Sequence, residues 1–175
     1  MDKLENQPCP FCSEKKLTLS EEEINIPPFG KVFLFSMFCL NCNYRKSDVE
    51  TEERKDPVKI IITIDSEKDM NIRVVKSSEA RISIPQMRMS FEPGPDSEGY
   101  VSNIEGVLDR FKKMIEDERD IAEDDDVKKN AKNQLKKIWK VKLGDIPLKI
   151  IIEDPSGNSA VVSDKAKVEK LKVKS

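Results

Sequence analysis

The cysteines constrain this chain more than any other feature. They fall at Cys9-Pro10-Phe11-Cys12 and, after 26 intervening residues, at Cys39-Leu40-Asn41-Cys42. Two thiolates separated by two residues can share one metal ion while backbone N–H groups point at the sulfurs. Two such knuckles supply the four soft ligands, at about 2.3 Å, of a tetrahedral structural zinc. No fifth cysteine and no histidine occurs anywhere in the chain. With four protein ligands the expected site is closed and keeps no position for a zinc-bound water. Three other readings compete: two disulfides, four unrelated buried thiols, or thioredoxin-type redox chemistry. The last should show one such pair beside a βαβ pattern, and disulfides belong to chains with a secretory leader. The spacing therefore predicts one zinc held by Cys9, Cys12, Cys39 and Cys42.

At 175 residues the chain fits one domain or two small units. Its formal charge of −2 gives no general electrostatic drive toward nucleic acid or membrane. No apolar run approaches the roughly 18 residues of a membrane span. The start, Met1-Asp2-Lys3-Leu4-Glu5, lacks an apolar signal core, so with reduced cysteines a cytoplasmic location is expected. Without histidine, a spare cysteine, an open metal position or a nucleotide fingerprint, the chain reads as a non-enzyme.

Between the knuckles, Lys16–Ser20 alternates like a strand, Glu21-Glu22-Glu23 reads as a solvated turn, and Ile24-Asn25-Ile26 resumes the alternation. Pro27-Pro28-Phe29-Gly30 breaks it, and the apolar run Lys31–Phe38 feeds into Cys39. Strand, turn and strand between two knuckles is the layout of a zinc ribbon, assigned to 1–50. A module this small folds largely on its metal. Its knuckle loops need a residue with positive φ after the second cysteine, which Asn43 provides better than Ser13. Glu50–Pro57 reads as a charged linker.

From 58 to 165 a β domain is expected. Its strands are Val58–Ile64, Ile72–Val75, Ala80–Ile84, Met87–Phe91, Leu148–Ile152 and Ala160–Val162, the last returning from a tight turn at Asp154–Ser159. A helical hairpin interrupts them at about 102–141. Ser102 to Glu105 reads as a capping box, and Ile104, Val107, Leu108, Phe111 and Ile115 form the first apolar stripe. Val127, Ala131, Leu135, Ile138 and Trp139 form the second. The architecture is mainly β with α: a four-cysteine ribbon, then a β-sandwich carrying an inserted hairpin, then a loosely ordered basic tail at 166–175.

Three motifs carry a family resemblance. They are Met37-Phe38-Cys39-Leu40-Asn41-Cys42-Asn43-Tyr44-Arg45; Glu92-Pro93-Gly94-Pro95 through Gly99 followed by Ile104-Glu105-Gly106-Val107-Leu108; and Asp154-Pro155-Ser156-Gly157-Asn158-Ser159. In this order they resemble the ZPR-type zinc-finger family. Asn43 stands where the family usually has glycine, and Lys46-Ser47-Asp48 where it has Asn-Asn-Glu. Eukaryotic members carry tandem copies of ribbon and β domain; this chain, with one, resembles the shorter, archaeal-like members. The resemblance implies a β domain like a double-stranded β-helix. It also implies a non-enzymatic binding protein whose relatives bind translation elongation factor one-alpha and assist its folding.

A folding assistant needs apolar surface that can be covered and released, and a projecting element. The ribbon around Phe29, Phe33 and Phe35 offers the first. The hairpin face bearing Lys128, Lys129 and Lys132 offers the second. Alternation places Phe33, Phe35 and Met37 on one strand face and Leu34, Ser36 and Phe38 on the other. The alternative function is a nucleic-acid-binding ribbon acting in transcription or RNA metabolism, with Arg45 and Lys46 touching phosphate. Against it stand the ribbon's many acids: Glu5, Glu14, Glu21, Glu22, Glu23, Asp48 and Glu50.

Overall fold

The computed structural model describes residues 2–27, 29–52 and 55–172. Its N-terminal part is an antiparallel sheet in chain order: β1 (Asp2–Gln7), β2 (Leu17–Ile26), β3 (Gly30–Cys39) and β4 (Arg45–Thr51). β2 and β3 pair from Leu17 opposite Cys39 to Ile26 opposite Gly30. The expected turn at Glu21–Glu23 is overturned, because the three glutamates run through the middle of β2. They stand opposite Phe35, Leu34 and Phe33, and the triplet holds no turn-forming residue, so a long apolar partner strand carries them along. β1 escaped notice because its polar, exposed sequence has no alternation to read.

The remaining strands are β5 (Val58–Ile64), β6 (Arg73–Lys76), β7 (Arg81–Ile84), β8 (Met89–Phe91), β9 (Tyr100–Asn103), β10 (Leu148–Asp154), β11 (Ala160–Val161) and β12 (Lys167–Lys170). Between β9 and β10 lie α1 (Ile104–Ile121) and α2 (Asp125–Lys142). One sheet has the order β12-β5-β10-β7-β8, the other β11-β6-β9. The fold is thus mostly β, a ribbon followed by a two-sheet body with a helical hairpin before its last strands.

Period-2 alternation builds the main core. Ile60, Ile62 and Ile64 of β5 face the same side as their register partners Ile152, Ile150 and Leu148 of β10, and all six are buried. α1 lays Ile104, Val107, Leu108, Phe111 and Ile115 onto this layer, and α2 adds Ala131, Ile138 and Val141. Each large apolar side chain buried here contributes about 1.5–3 kcal/mol. The three-stranded sheet is covered on both faces. Val74 and Val161 enter the main core, whereas their neighbours Val75 and Ala160 pack against Ile26, Val32 and Val49 of the ribbon. The ribbon is therefore seated on the body by one face of its own sheet.

Several expectations need correction. Asn103, not Ser102, caps α1: its Oδ1 accepts from Gly106 N at 2.8 Å, and Ser102 belongs to β9. Trp139 is 60% exposed, because from Ile138 the buried face continues to Val141, one turn along and away from the indole. β11 does not return beside β10; after the 154–159 turn it crosses to the other sheet and pairs with β6. The described part of the basic tail, to residue 172, is anchored by a strand at Lys167–Lys170. Lys167–Lys170 adds to the edge of β5, and the Lys165 ammonium holds Asp65 at 2.6 Å and Asp69 at 2.8 Å. Residues 173–175 of that tail lie outside the described residues, as do Glu53 and Arg54 of the expected linker and Pro28.

Candidate metal centre

The two knuckles are built alike. In the first, Ser13 N donates to Cys9 O at 2.9 Å; in the second, Asn43 N donates to Cys39 O at 3.0 Å. Each turn closes on a left-handed residue, Ser13 with φ 62° and Asn43 with φ 57°. Asparagine accepts that conformation readily, and Ser13 adopts it as well. Both loops hang from the ends of paired strands, so the β2–β3 register brings the two cysteine pairs together.

All four sulfurs lie within 4.8 Å of one another. Cys9 Sγ is 3.7 Å from Cys42 Sγ, and Cys12 Sγ is 3.7 Å from Cys39 Sγ. A tetrahedral ion with metal–sulfur bonds of about 2.3 Å requires sulfurs about 3.8 Å apart, so the set fits zinc. Phe11 N points at Cys9 Sγ (3.4 Å) and the Asn41 side-chain amide at Cys12 Sγ (3.6 Å). Such donors orient the sulfurs and balance thiolate charge. The cysteines are free thiols rather than disulfides. Backbone N–H groups of Cys42 and Asn41 lower the Cys39 thiol to about 7, whereas burial pushes Cys42 up to about 12. A divalent ion supplies the charge that lets all four ionise together, which makes the centre a structural clasp. Leu17 is buried beside it, with Leu19 and Tyr44 packed around.

The other predicted residues lie on β3, in the turn before it and on α2. Phe33 and Phe35 are half-buried on the ribbon face opposite Val32 and Leu34. Phe29 packs against the ribbon–body core, and the Lys55 ammonium lies 3.4 Å from the centroid of its ring. On α2, Lys129 and Lys132 are exposed and Lys128 is half-buried.

Sequence reasoning missed a polar seam between ribbon and body. Asp48 accepts from Ser78 N at 2.9 Å and from Ser78 Oγ at 2.5 Å. Ser47 Oγ donates to Gly99 O at 2.7 Å, while Gly99 N donates to Ser47 O at 2.9 Å. Thr51 Oγ1 donates to Asn158 Oδ1 at 2.7 Å. The one signal in the sequence was that Ser47 and Asp48 occupy a motif position beyond the last knuckle.

Comparison with known proteins agrees with this division. A family model described as the ZPR1 zinc-finger domain matches residues 3–55, and the ZPR1 jelly-roll domain matches 68–175. An uncharacterized ZPR1-like protein of Methanocaldococcus jannaschii is 39% identical over 98% of this chain and 91% of its own length. One from Pyrococcus horikoshii is 40% identical over 93% and 75%. The zinc finger chaperone zpr1 of Schizosaccharomyces pombe is 30% identical over 77% of this chain, which spans only 29% of that protein. With one copy each of the zinc-finger and jelly-roll domains, the chain belongs to the ZPR1 family.

Proposed function

We propose that this protein is a non-enzymatic, cytoplasmic chaperone-like adaptor that holds one zinc through Cys9, Cys12, Cys39 and Cys42. Its partner is translation elongation factor one-alpha, which it binds before that factor is fully folded. The chaperone name of the fission-yeast relative supports the class of activity. The partner itself rests on the family resemblance.

One observation carries the choice of surface. The ribbon uses Val32, Val49 and Ile26 to sit on the body, which leaves Phe33, Phe35 and Met37 on the opposite face, half-buried to exposed. Apolar side chains gathered on an open sheet face mark an interface. Phe33 and Phe35 form the apolar part of the docking surface, Lys128, Lys129 and Lys132 on α2 form its charged part, and Phe29, packed against the ribbon–body core, lies off it. Each helix is about 27 Å long at 1.5 Å per residue over 18 residues, enough to reach between domains of a partner.

The test is binding kinetics to purified elongation factor, with circular dichroism as the folding control. Charge reversal at Lys128, Lys129 and Lys132 slows association and leaves the fold intact, because none belongs to the buried stripe. A Phe33→Ser, Phe35→Ser variant speeds dissociation. Unchanged kinetics in both variants would remove this surface.

A further inference from the structure

We infer that the knuckle end of the ribbon binds single-stranded nucleic acid, a second activity at a site that adjoins the phenylalanine face where Lys46 pairs with Met37. Five of the seven acids that argue against such binding in the sequence do not lie at this end. β2 places Glu21 four residues and Glu23 six residues beyond Leu17, the register partner of Cys39. At about 3.4 Å per residue they stand roughly 14 and 20 Å from the cysteines. Asp48 is turned onto Ser78, and Glu50 pairs in register with Phe33 at the far end. The knuckle end keeps Glu5 and Glu14 against four cations.

Those cations are Lys15, Lys16, Arg45 and Lys46. All are exposed, and none forms an ion pair among the described residues. The loop carrying Lys15 and Lys16 is tied to the second knuckle by Leu40 N donating to Lys16 O at 3.0 Å. Arg45 and Lys46 leave that knuckle opposite Phe38 and Met37, so the positive groups bracket the tip. Apolar planes sit among them. Phe11 is 78% exposed, and its ring lies parallel to Tyr44, 6.3 Å between centroids and 5° between planes. The Arg45 guanidinium lies 5.0 Å from the Phe38 ring centroid, and Leu40 is 70% exposed beside them.

Cations for phosphates beside an exposed ring for a base face, here Phe11 with the half-buried Tyr44 and Phe38 next to it, are what an unpaired strand needs. A duplex keeps its base faces stacked inside and leaves Phe11 none to stack on. The rigid zinc clasp beneath holds the rings and cations in fixed positions without lending them a ligand atom. The surface reads phosphates and base faces only, so oligothymidylate and oligouridylate should both bind.

The experiment is fluorescence anisotropy with labelled oligothymidylate and oligouridylate of about 20 nucleotides, a length that spans typical single-strand sites. It uses the full zinc-loaded chain. Four phosphate contacts give a slope of log K against log salt near −3, hence about a 50-fold loss between roughly 50 and 200 mM salt. Phe11→Ala weakens binding about tenfold at unchanged slope, because stacking is lost and charge is kept. Arg45→Ala lowers the slope by about 0.7. Both side chains are on the surface, and zinc content with circular dichroism verifies the fold of each variant. No binding at about 50 mM salt by the folded, zinc-loaded protein would overturn the inference. So would full affinity in Phe11→Ala, or polyglutamate binding at least as tightly as the oligonucleotides.

Discussion

Replacing Gly99 with alanine should loosen the ribbon from the body. A Cβ at this position would lie 2.6 Å from Asp48 Oδ1, 2.7 Å from Val49 N and 2.8 Å from Asp48 Cα. Two of those three atoms are backbone of β4 and cannot rotate away. Reaching ordinary contact near 3.4 Å demands a separation of more than half an ångström across the seam. That movement stretches both bonds between Gly99 and Ser47, now 2.9 and 2.7 Å. Overpacking of this kind costs about 1–3 kcal/mol, and each weakened hydrogen bond adds about 0.5–1.5 kcal/mol. A total of at least about 2 kcal/mol lowers Tm by about 4–8 °C in a chain of this size. Thermal unfolding of the zinc-loaded protein reads the effect, and amide exchange along β4 locates it. Gly94→Ala is the control, since nothing lies within 4 Å of its Cβ position. If Gly99→Ala unfolds within about 2 °C of the parent, the loop yields freely and the rigid-seam reasoning is wrong.

Two further outcomes follow from the same geometry. Cys39→Ser, or a strong chelator at pH 7, should remove the single zinc found by elemental analysis. Unfolding should then split into two transitions, because the ribbon's own core is small whereas the body keeps a large one; a single unshifted transition would contradict this. The second concerns Asp69, whose burial opposes its charge but whose bonds from Lys165 and from the N–H groups of Asp65 and Ser66 hold its carboxyl below the usual range. A depressed folded value contributes stability above the unfolded value near 4 and loses it as pH falls through the folded one. Lys165→Met should therefore be destabilised relative to the parent at pH 6, with the gap closing below about pH 4. Urea unfolding across that range checks it, and a gap that is constant with pH would refute the coupling.

How much of this was legible depends on whether the signal was local. Cysteine spacing, the apolar strand Val58–Ile64 and the Phe111-Ile115 helical stripe each rest on signals within a few residues, and all emerged where the sequence placed them. β9 and β12 did not, and β11 emerged as a strand but on a different partner. They are short, and each takes its identity from a partner strand far along the chain, as Lys167–Lys170 does from β5. Glu21–Glu23 misled for the same reason, since only β3 makes a strand of them. The cation-bearing knuckle was hidden by counting charges along the ribbon, when register alone says which charges share an end.

The seam was invisible because its bonds join residues 30, 52 and 107 positions apart, all of them small polar groups without periodicity. Yet it explains why three separate motifs occur in one chain. Ser47 and Asp48 follow the second knuckle, Gly99 ends the Pro-Gly loop, and Asn158 belongs to the 154–159 turn. The turn is itself fixed from beneath: Asp154 accepts from Ser156 N and Oγ, and Ser77 N donates to Ser159 Oγ at 3.0 Å. Gly157, with φ +74°, lets the turn pass so close to the 55–56 backbone that any Cβ would collide with it. The polar groups of this clamp are committed to one another. The surfaces proposed above for recognition, the phenylalanine strand, the lysine side of α2 and the knuckle tip, use none of these groups. Because one rigid seam carries them all, a partner that engages two of them gains from their fixed spacing. Loosening Gly99 should therefore weaken two-site binding more than either contact alone.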